Sequence, residues 1–280
     1  MMEALLTPEM LVLLGLLLGV GLFAGFIGGL FGIGGGIVIV PALYAVFGVL
    51  EVPDAIRIKI AVGTSLATII ITSWRSVSTH HRHGAVDVSL LKSWAPWIIF
   101  GAISGALLAR VLQADVLTLI FATGAMAVAI RKGLFDRQKP QVGDDLAPVP
   151  GGGFRASLGG SIGLLSSLMG IGGGVMGVVV LTAFGRTIHQ AIATAAGFGL
   201  AIAIPGTIGF IIVGWGQQGL PPWSLGFVSV PAFLSIASMT TITAPIGANI
   251  AHQLDDTWLN RVFAIYLALT ASLLIYDVLF

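Results

Sequence analysis

Leu30-Phe31-Gly32-Ile33-Gly34-Gly35-Gly36 interrupts an apolar run, and the chain later repeats it as Leu168-Met169-Gly170-Ile171-Gly172-Gly173-Gly174. Each cluster lies between continuous apolar segments: Leu11–Phe31 and Ile37–Leu50 for the first, Ala156–Met169 and Val175–Phe184 for the second. A glycine inside a helix costs about 1 kcal/mol relative to alanine. Four glycines in five positions therefore break the helix, which restarts at Ile37 and at Val175. Within a membrane, freed backbone groups are tolerated only against protein or beside a water-lined cavity. A restarted helix presents unpaired N–H donors and a partial positive charge, which suits an anion without placing a lysine or arginine in lipid. The same glycines would also serve close helix packing. Two copies at matching positions favour the binding role.

The surroundings place these breaks in a membrane. Hydrophobic residues make up 56% of the 280-residue chain, charged residues 9%, and mean hydropathy is +1.03. A soluble domain carries roughly 25% charged residues. Six further apolar runs lie at Ile58–Trp74, Leu91–Val111, Val116–Ile130, Ala191–Val213, Leu225–Ala244 and Leu259–Leu279. Runs near 20 residues match the span of a helix across roughly 30 Å of hydrocarbon, so the length fits about seven to nine helical segments. A membrane β-barrel would alternate polar and apolar residues, and these runs do not. There is no cysteine, hence no thiolate chemistry. A net charge of +1 without a basic stripe gives no reason to expect a nucleic-acid partner. The N-terminus lacks a basic n-region, so the first apolar run is expected to stay in the mature protein.

The halves match in three collinear places. Besides the glycine clusters, Ala61-Val62-Gly63-Thr64-Ser65 corresponds to Ala191-Ile192-Ala193-Thr194-Ala195, and Gly105–Arg110 to Gly247–His252. The organisation expected is a first transmembrane repeat over residues 1–131, a cytoplasmic linker over 132–155 and a second repeat over 156–280. Arg75, Arg82 and Lys92 crowd one inter-helical region, whereas its counterpart Gly214–Trp223 carries no charge. Because Lys and Arg prefer cytoplasmic loops, this contrast favours inverted repeats, a common transporter plan. The fold expected is an all-α integral membrane protein. It has two repeats of about four hydrophobic elements each, inverted, each opening with a Gly-broken, re-entrant helix. A parallel arrangement, with each hairpin counted as one crossing, is the rival.

The candidate substrate-binding residues are Gly32, Gly34, Gly35, Gly36, Thr64 and Ser65 in the first repeat, and Gly170, Gly172, Gly173, Gly174 and Thr194 in the second. Hydroxyls can donate to sulfonate, sulfite or carboxylate oxygens, although Ser and Thr in membrane helices often bond backbone instead. Thr68 and Thr72, on the same helix, are discounted on that ground. Asn249 reads as interhelical glue before pore lining. His80-His81-Arg82-His83 reads as a basic cytoplasmic loop, and His189 and His252 as helix-end residues; no metal site is expected. No acidic residue falls in the middle of an apolar run, which weakens a cation or proton relay. Neither H+ nor Na+ is indicated as coupling ion, and no homo-oligomeric state is indicated. No phosphate-binding loop, Ser-His-Asp arrangement or His-Glu-x-x-His helix is present, so no enzyme activity is expected.

Gly32–Gly36, followed by Val40-Pro41-Ala42-Leu43 and Ala61–Ser65, resembles the sulfite exporter family of the TauE/SafE type, in the toluene-sulfonate uptake permease superfamily. The second copy departs from the first: Val179 stands opposite Pro41, and Ala195 opposite Ser65. The resemblance implies an inner-membrane permease, without cofactor, for sulfite, organosulfonates or similar small anions. A channel-like or non-transporting scaffold, in which the glycines serve packing alone, is the alternative.

Overall fold

A computed structural model describes residues 8–31, 35–131, 133, 151–251 and 256–280. Among them are ten helices: α1 Pro8–Phe31, α2 Gly36–Val49, α3 Asp54–Arg82, α4 Val88–Val111, α5 Ala114–Ile130, α6 Gly152–Met169, α7 Gly174–Ala183, α8 Ile188–Val213, α9 Val230–Ala251 and α10 Asp256–Leu279. Strands β1 Ser224–Leu225 and β2 Val228–Ser229 form a short antiparallel hairpin before α9. Gly32, Gly34 and most of the linker lie outside the described residues, as does His252.

Every apolar run seen in the sequence falls on a helix here, apart from the first residues of Leu225–Ala244. Five stretches are long and apolar enough to cross a bilayer: Asp54–Arg82, Val88–Val111, Gln190–Val213, Val230–Gly247 and Arg261–Leu279. The outward residues agree. Phe100, Ile103 and Leu107 on α4, Ile204, Ile208 and Ile212 on α8, and Ile265, Leu269 and Leu273 on α10 are all exposed. Their spacings of three and four make one apolar stripe per helix. In water such stripes would be an aggregation hazard; in lipid they are the solvated face. The chain is thus an all-α membrane protein.

The helices pair in a regular way. α4 and α6 run in the same direction, and a Cβ on Gly159 would touch Trp97 while one on Gly105 would touch Leu164 and Ser167. α1 and α9 also run in the same direction: Gly21 meets Ile236 and Met239, and Gly25 meets Thr240 and Thr243. α3 and α8 are antiparallel at the centre, with Gly63 against Phe210, Leu66 against Gly206 and Ser73 against Gly199. α5 packs on α10. Small residues at these crossings let backbones approach, which is how membrane helices gain packing energy without a hydrophobic driving force.

The ends of the shorter helices fix their direction. α2 finishes beside the start of α3, where Gly48 faces the Arg57 guanidinium. α7 finishes beside the turn from α3 into α4, where Leu181 and Arg186 share a pocket with Gly84–Asp87. These are opposite ends of α3.

Two boundaries differ from the sequence reading. α3 continues through Arg75 to Arg82, so the His80-His81-Arg82 stretch is its last turn, not a loop. Cationic side chains there complement the negative helix end, and hydropathy alone stops where lipid stops. Residues 225–229, read as the start of a span, instead form the hairpin ahead of α9.

Candidate functional site

The second glycine cluster is built by helix termination. α6 ends with Gly170 at φ +62, a left-handed conformation that favours glycine. The Gly170 N–H donates to the Ser167 carbonyl at 3.3 Å and the Ile171 N–H to the Ser166 carbonyl at 3.0 Å. This pairing is the Schellman cap, which satisfies the last carbonyls of a helix. α7 then restarts at Gly174. In the first cluster Gly35, at φ +76, precedes the restart of α2 at Gly36. No side chain caps α2 or α7, and neither has an acidic residue in its first turn. Among the described residues their leading N–H groups thus lack a side-chain cap, and each helix start carries roughly half a positive charge.

The two clusters adjoin. A Cβ on Gly36 would lie 2.7 Å from the Gly170 carbonyl oxygen and 3.2 Å from the Ile171 Cα. The Ile69 side chain is within reach of both: 2.9 Å from that Gly36 position and 3.1 Å from the equivalent one on Gly172. Gly173 packs against Phe198 and Ile202 of α8. Ile69 stands near the midpoint of α3, the most enclosed of the membrane-length helices. Both restarts thus converge on one buried locus, with Gly35, Gly36, Gly170, Gly172 and Gly173 around it; Gly174, half-buried, opens α7 there.

The three candidate hydroxyls do different things. Ser65 Oγ donates to the Gly170 carbonyl at 2.8 Å, fully buried, tying α3 to the second cluster. Thr64 Oγ1 accepts from the Ser229 N–H at 3.0 Å, just before α9 begins. Thr194 Oγ1 accepts from the Asp87 N–H at 3.1 Å, just before α4 begins. Each threonine holds the entry to a long helix from the other half of the chain. Only Ser65 is joined by a hydrogen bond to a glycine cluster; the threonines sit to either side along α3 and α8. Thr68 and Thr72 bond the backbone of their own helix, as the sequence reading supposed.

Ile69 and Ser167 had no place in that reading. Ser167 is fully buried in the last turn of α6, beside Gly206 of α8, and its hydroxyl has no hydrogen-bond partner among the described residues. Its neighbour Ser166 contacts the Met176 sulfur at 3.8 Å. Adjacent serines in an otherwise apolar run, ending on a glycine cluster, were the available signal.

Known proteins place this architecture. The profile of the family "Sulfite exporter TauE/SafE" matches residues 17–274. A "Probable membrane transporter protein" of Haemophilus influenzae is 36% identical over 253 residues, 90% of this chain and 94% of the relative. Proteins described in the same words from Methanocaldococcus jannaschii and Bacillus subtilis are 28% and 26% identical. They cover 90% and 93% of this chain and 91% and 96% of their own lengths. No solved structure matches. With multiple membrane-length helices and a family match over nearly its whole length, this chain is an integral, multi-pass membrane protein that belongs to the TauE/SafE sulfite exporter family.

Proposed function

We propose that this protein is a secondary transporter for a small anion, sulfite or an organosulfonate, working by alternating access around a site in the middle of the membrane. One observation carries the reading: the two glycine-flanked helix starts meet beside Ile69, with Gly36 against Gly170 and Ile171. Two uncapped helix N-termini aimed at one locus supply backbone donors and positive potential without a buried cation. Gly35, Gly36, Gly172, Gly173 and Gly174 are the proposed ligand-facing backbone, with Gly32 and Gly34 completing the first cluster. Ser65 positions Gly170. The relatives' descriptions support transport, and the family's name supports the substrate class.

The proposed motion uses two inverted repeats, residues 1–131 and 156–280, joined by a cytoplasmic linker. What supports inversion is the direction of the short helices: α2 returns to the end of α3 where Arg57 lies, α7 to the end where Arg82 lies. Each pair α1–α2 and α6–α7 is then a re-entrant hairpin, entering from opposite faces. Arg75, Arg82, Lys92, Arg131, Arg155 and Arg186 gather toward the second face, which the positive-inside rule makes cytoplasmic. α3 and α8, crossing antiparallel at the centre, are the pair that rocking would move against each other.

Reconstituted proteoliposomes test the reading. Folded protein is expected to move sulfite or a simple alkylsulfonate down its gradient; no flux of any sulfur oxyanion would overturn it. The packing alternative has its own support, since a side chain on Gly36 or Gly173 would crowd its neighbours whatever the function. Alanine at both Gly35 and Gly173 with full transport in well-folded protein would favour that alternative.

A further inference from the structure

Away from the glycine clusters, at the end of α3 where α7 finishes, lies a cavity of about 150 Å³ lined by Gly84, Asp87, Leu181, Arg186, Gln190 and Thr194, among others. It sits across the two halves. Asp87 comes from the turn before α4, Arg186 from the turn between α7 and α8.

The chemistry of the walls is uneven. Asp87 is fully employed: Oδ1 accepts from the Leu90 N–H at 2.9 Å as the N-cap of α4, its own N–H goes to Thr194, and Oδ2 faces Arg186. Arg186 is not. Its Nη2 stands 3.5 Å from Asp87 Oδ2, long for a charge-assisted hydrogen bond. Its Nε is buried with no hydrogen-bond partner among the described residues. The contrast with Arg57, at the other end of α3, is instructive. Arg57 pairs with Asp54, donates twice to the Val52 carbonyl and lies over the Tyr44 ring. A guanidinium offers five donors in a planar fork; among the described residues Arg186, which lines the cavity, has only the long contact to Asp87 and an Nε without a partner. α7 ends in a Schellman cap through Gly185 at φ +77, and the Arg186 N–H donates to the Leu181 carbonyl at 3.1 Å, so Arg186 is held at a fixed backbone position.

We propose that this pocket is a docking site for a small oxyanion at the basic-side mouth of the protein, with Arg186 as its ligand and the Asp87 carboxylate as the resident stand-in that the anion displaces. A tetrahedral or pyramidal oxyanion fits the volume and offers the fork two oxygens at once, and the Gln190 side chain lines the same pocket. The identity of the anion rests on the transport reading above; the existence of the site does not. Because Asp87 also anchors the start of α4 through Thr194, replacing its partner would loosen one contact between the halves.

The test is a pair of substitutions with opposite expected signs. Asp87→Asn keeps an N-cap acceptor for Leu90 while removing the competing charge, so full-length protein should bind sulfite and methanesulfonate about tenfold more tightly in calorimetric titration. Arg186→Gln should weaken binding about tenfold, and Arg186→Lys, which retains the charge but not the fork, should fall between. An ion pair that merely braces the fold predicts loss in both Asp87→Asn and Arg186→Gln. Loss in both, no change in either, or no binding by the wild-type protein overturns the site. If Arg186→Gln does not fold, Arg186→Lys against Asp87→Asn decides by the same opposition of sign. Flux separates this proposal from the one it rests on. Opposite shifts in binding without any oxyanion transport overturn the transport reading alone. Transport whose KM moves with none of these variants overturns the docking site alone.

Discussion

Ser65 shows what a single side chain can and cannot disclose. Its hydroxyl and its place near the first glycine cluster were legible, and both suggested a ligand. Its partner was not, because the Gly170 carbonyl lies 105 residues away in the chain and belongs to the other half. No local pattern encodes such a contact. The bond makes a quantitative expectation: Ser65→Ala strands a buried carbonyl and should cost about 1 kcal/mol, read as a lower midpoint in thermal unfolding. Ala195, the matching position in α8, has no hydroxyl to lose, so restoring symmetry with Ala195→Ser should not compensate. Gly170→Ala should do more harm than Ser65→Ala. It forces a side chain into left-handed backbone, at about 1–2 kcal/mol, and sets its Cβ 2.9 Å from Val40 and 3.0 Å from the Val62 Cα. Gly36→Ala, whose helical backbone is free of that strain, isolates the crowding alone. Were Gly170→Ala and Gly36→Ala equally mild in unfolding, the tight junction of the two clusters would be misdrawn.

At the level of elements, the apolar runs mark the ten helices among the described residues, more than the roughly seven to nine that length alone suggests, because membrane burial demands length and continuity that few other structures share. The errors came where that demand ends. α3 runs past Trp74 on polar residues, and strands of two residues are too short for any periodicity to register. The threonine pair was found by repeat matching, yet its action belongs to elements. Thr64 and Thr194 each accept the N–H of the residue preceding a long helix, Ser229 before α9 and Asp87 before α4. Valine has the same shape without the oxygen, so Thr64→Val and Thr194→Val each leave a backbone donor without its partner, at about 1–3 kcal/mol. Hydrogen exchange localises the effect. Thr64→Val should expose the Ser229 amide and the start of α9 while α4 is unchanged; Thr194→Val should expose the Asp87 amide and the start of α4 while α9 is unchanged. Uniform loss of protection over both helices in either variant would contradict two separate clasps.

For the whole molecule, the charge asymmetry of the chain and the directions of its short helices together make the inverted arrangement testable without a substrate. The chain has no cysteine, so single cysteines can be introduced on an unreactive background. Val49, exposed at the end of α2, and Gly185, exposed just past the end of α7, mark the corresponding helix ends in the two halves. If each glycine cluster turns a hairpin and the halves are inverted, an impermeant maleimide added to intact cells should label Val49→Cys, and Gly185→Cys should react only after the membrane is opened. Because Gly185 holds positive φ, Phe184→Cys serves as a second probe of the same end. His83, exposed at the end of α3, should report the Gly185 face, and Gln217, in the exposed turn after α8, the Val49 face. Parallel repeats would put Val49 and Gly185 on one face, and a scaffold with single crossings at the clusters would do the same. Labelling of both from one side would therefore remove the inversion, and with it the reason for two opposed helix starts to meet at Ile69. Labelling from opposite sides leaves the antiparallel crossing of α3 and α8 as the axis about which a transporter of this construction can expose its centre to each face in turn.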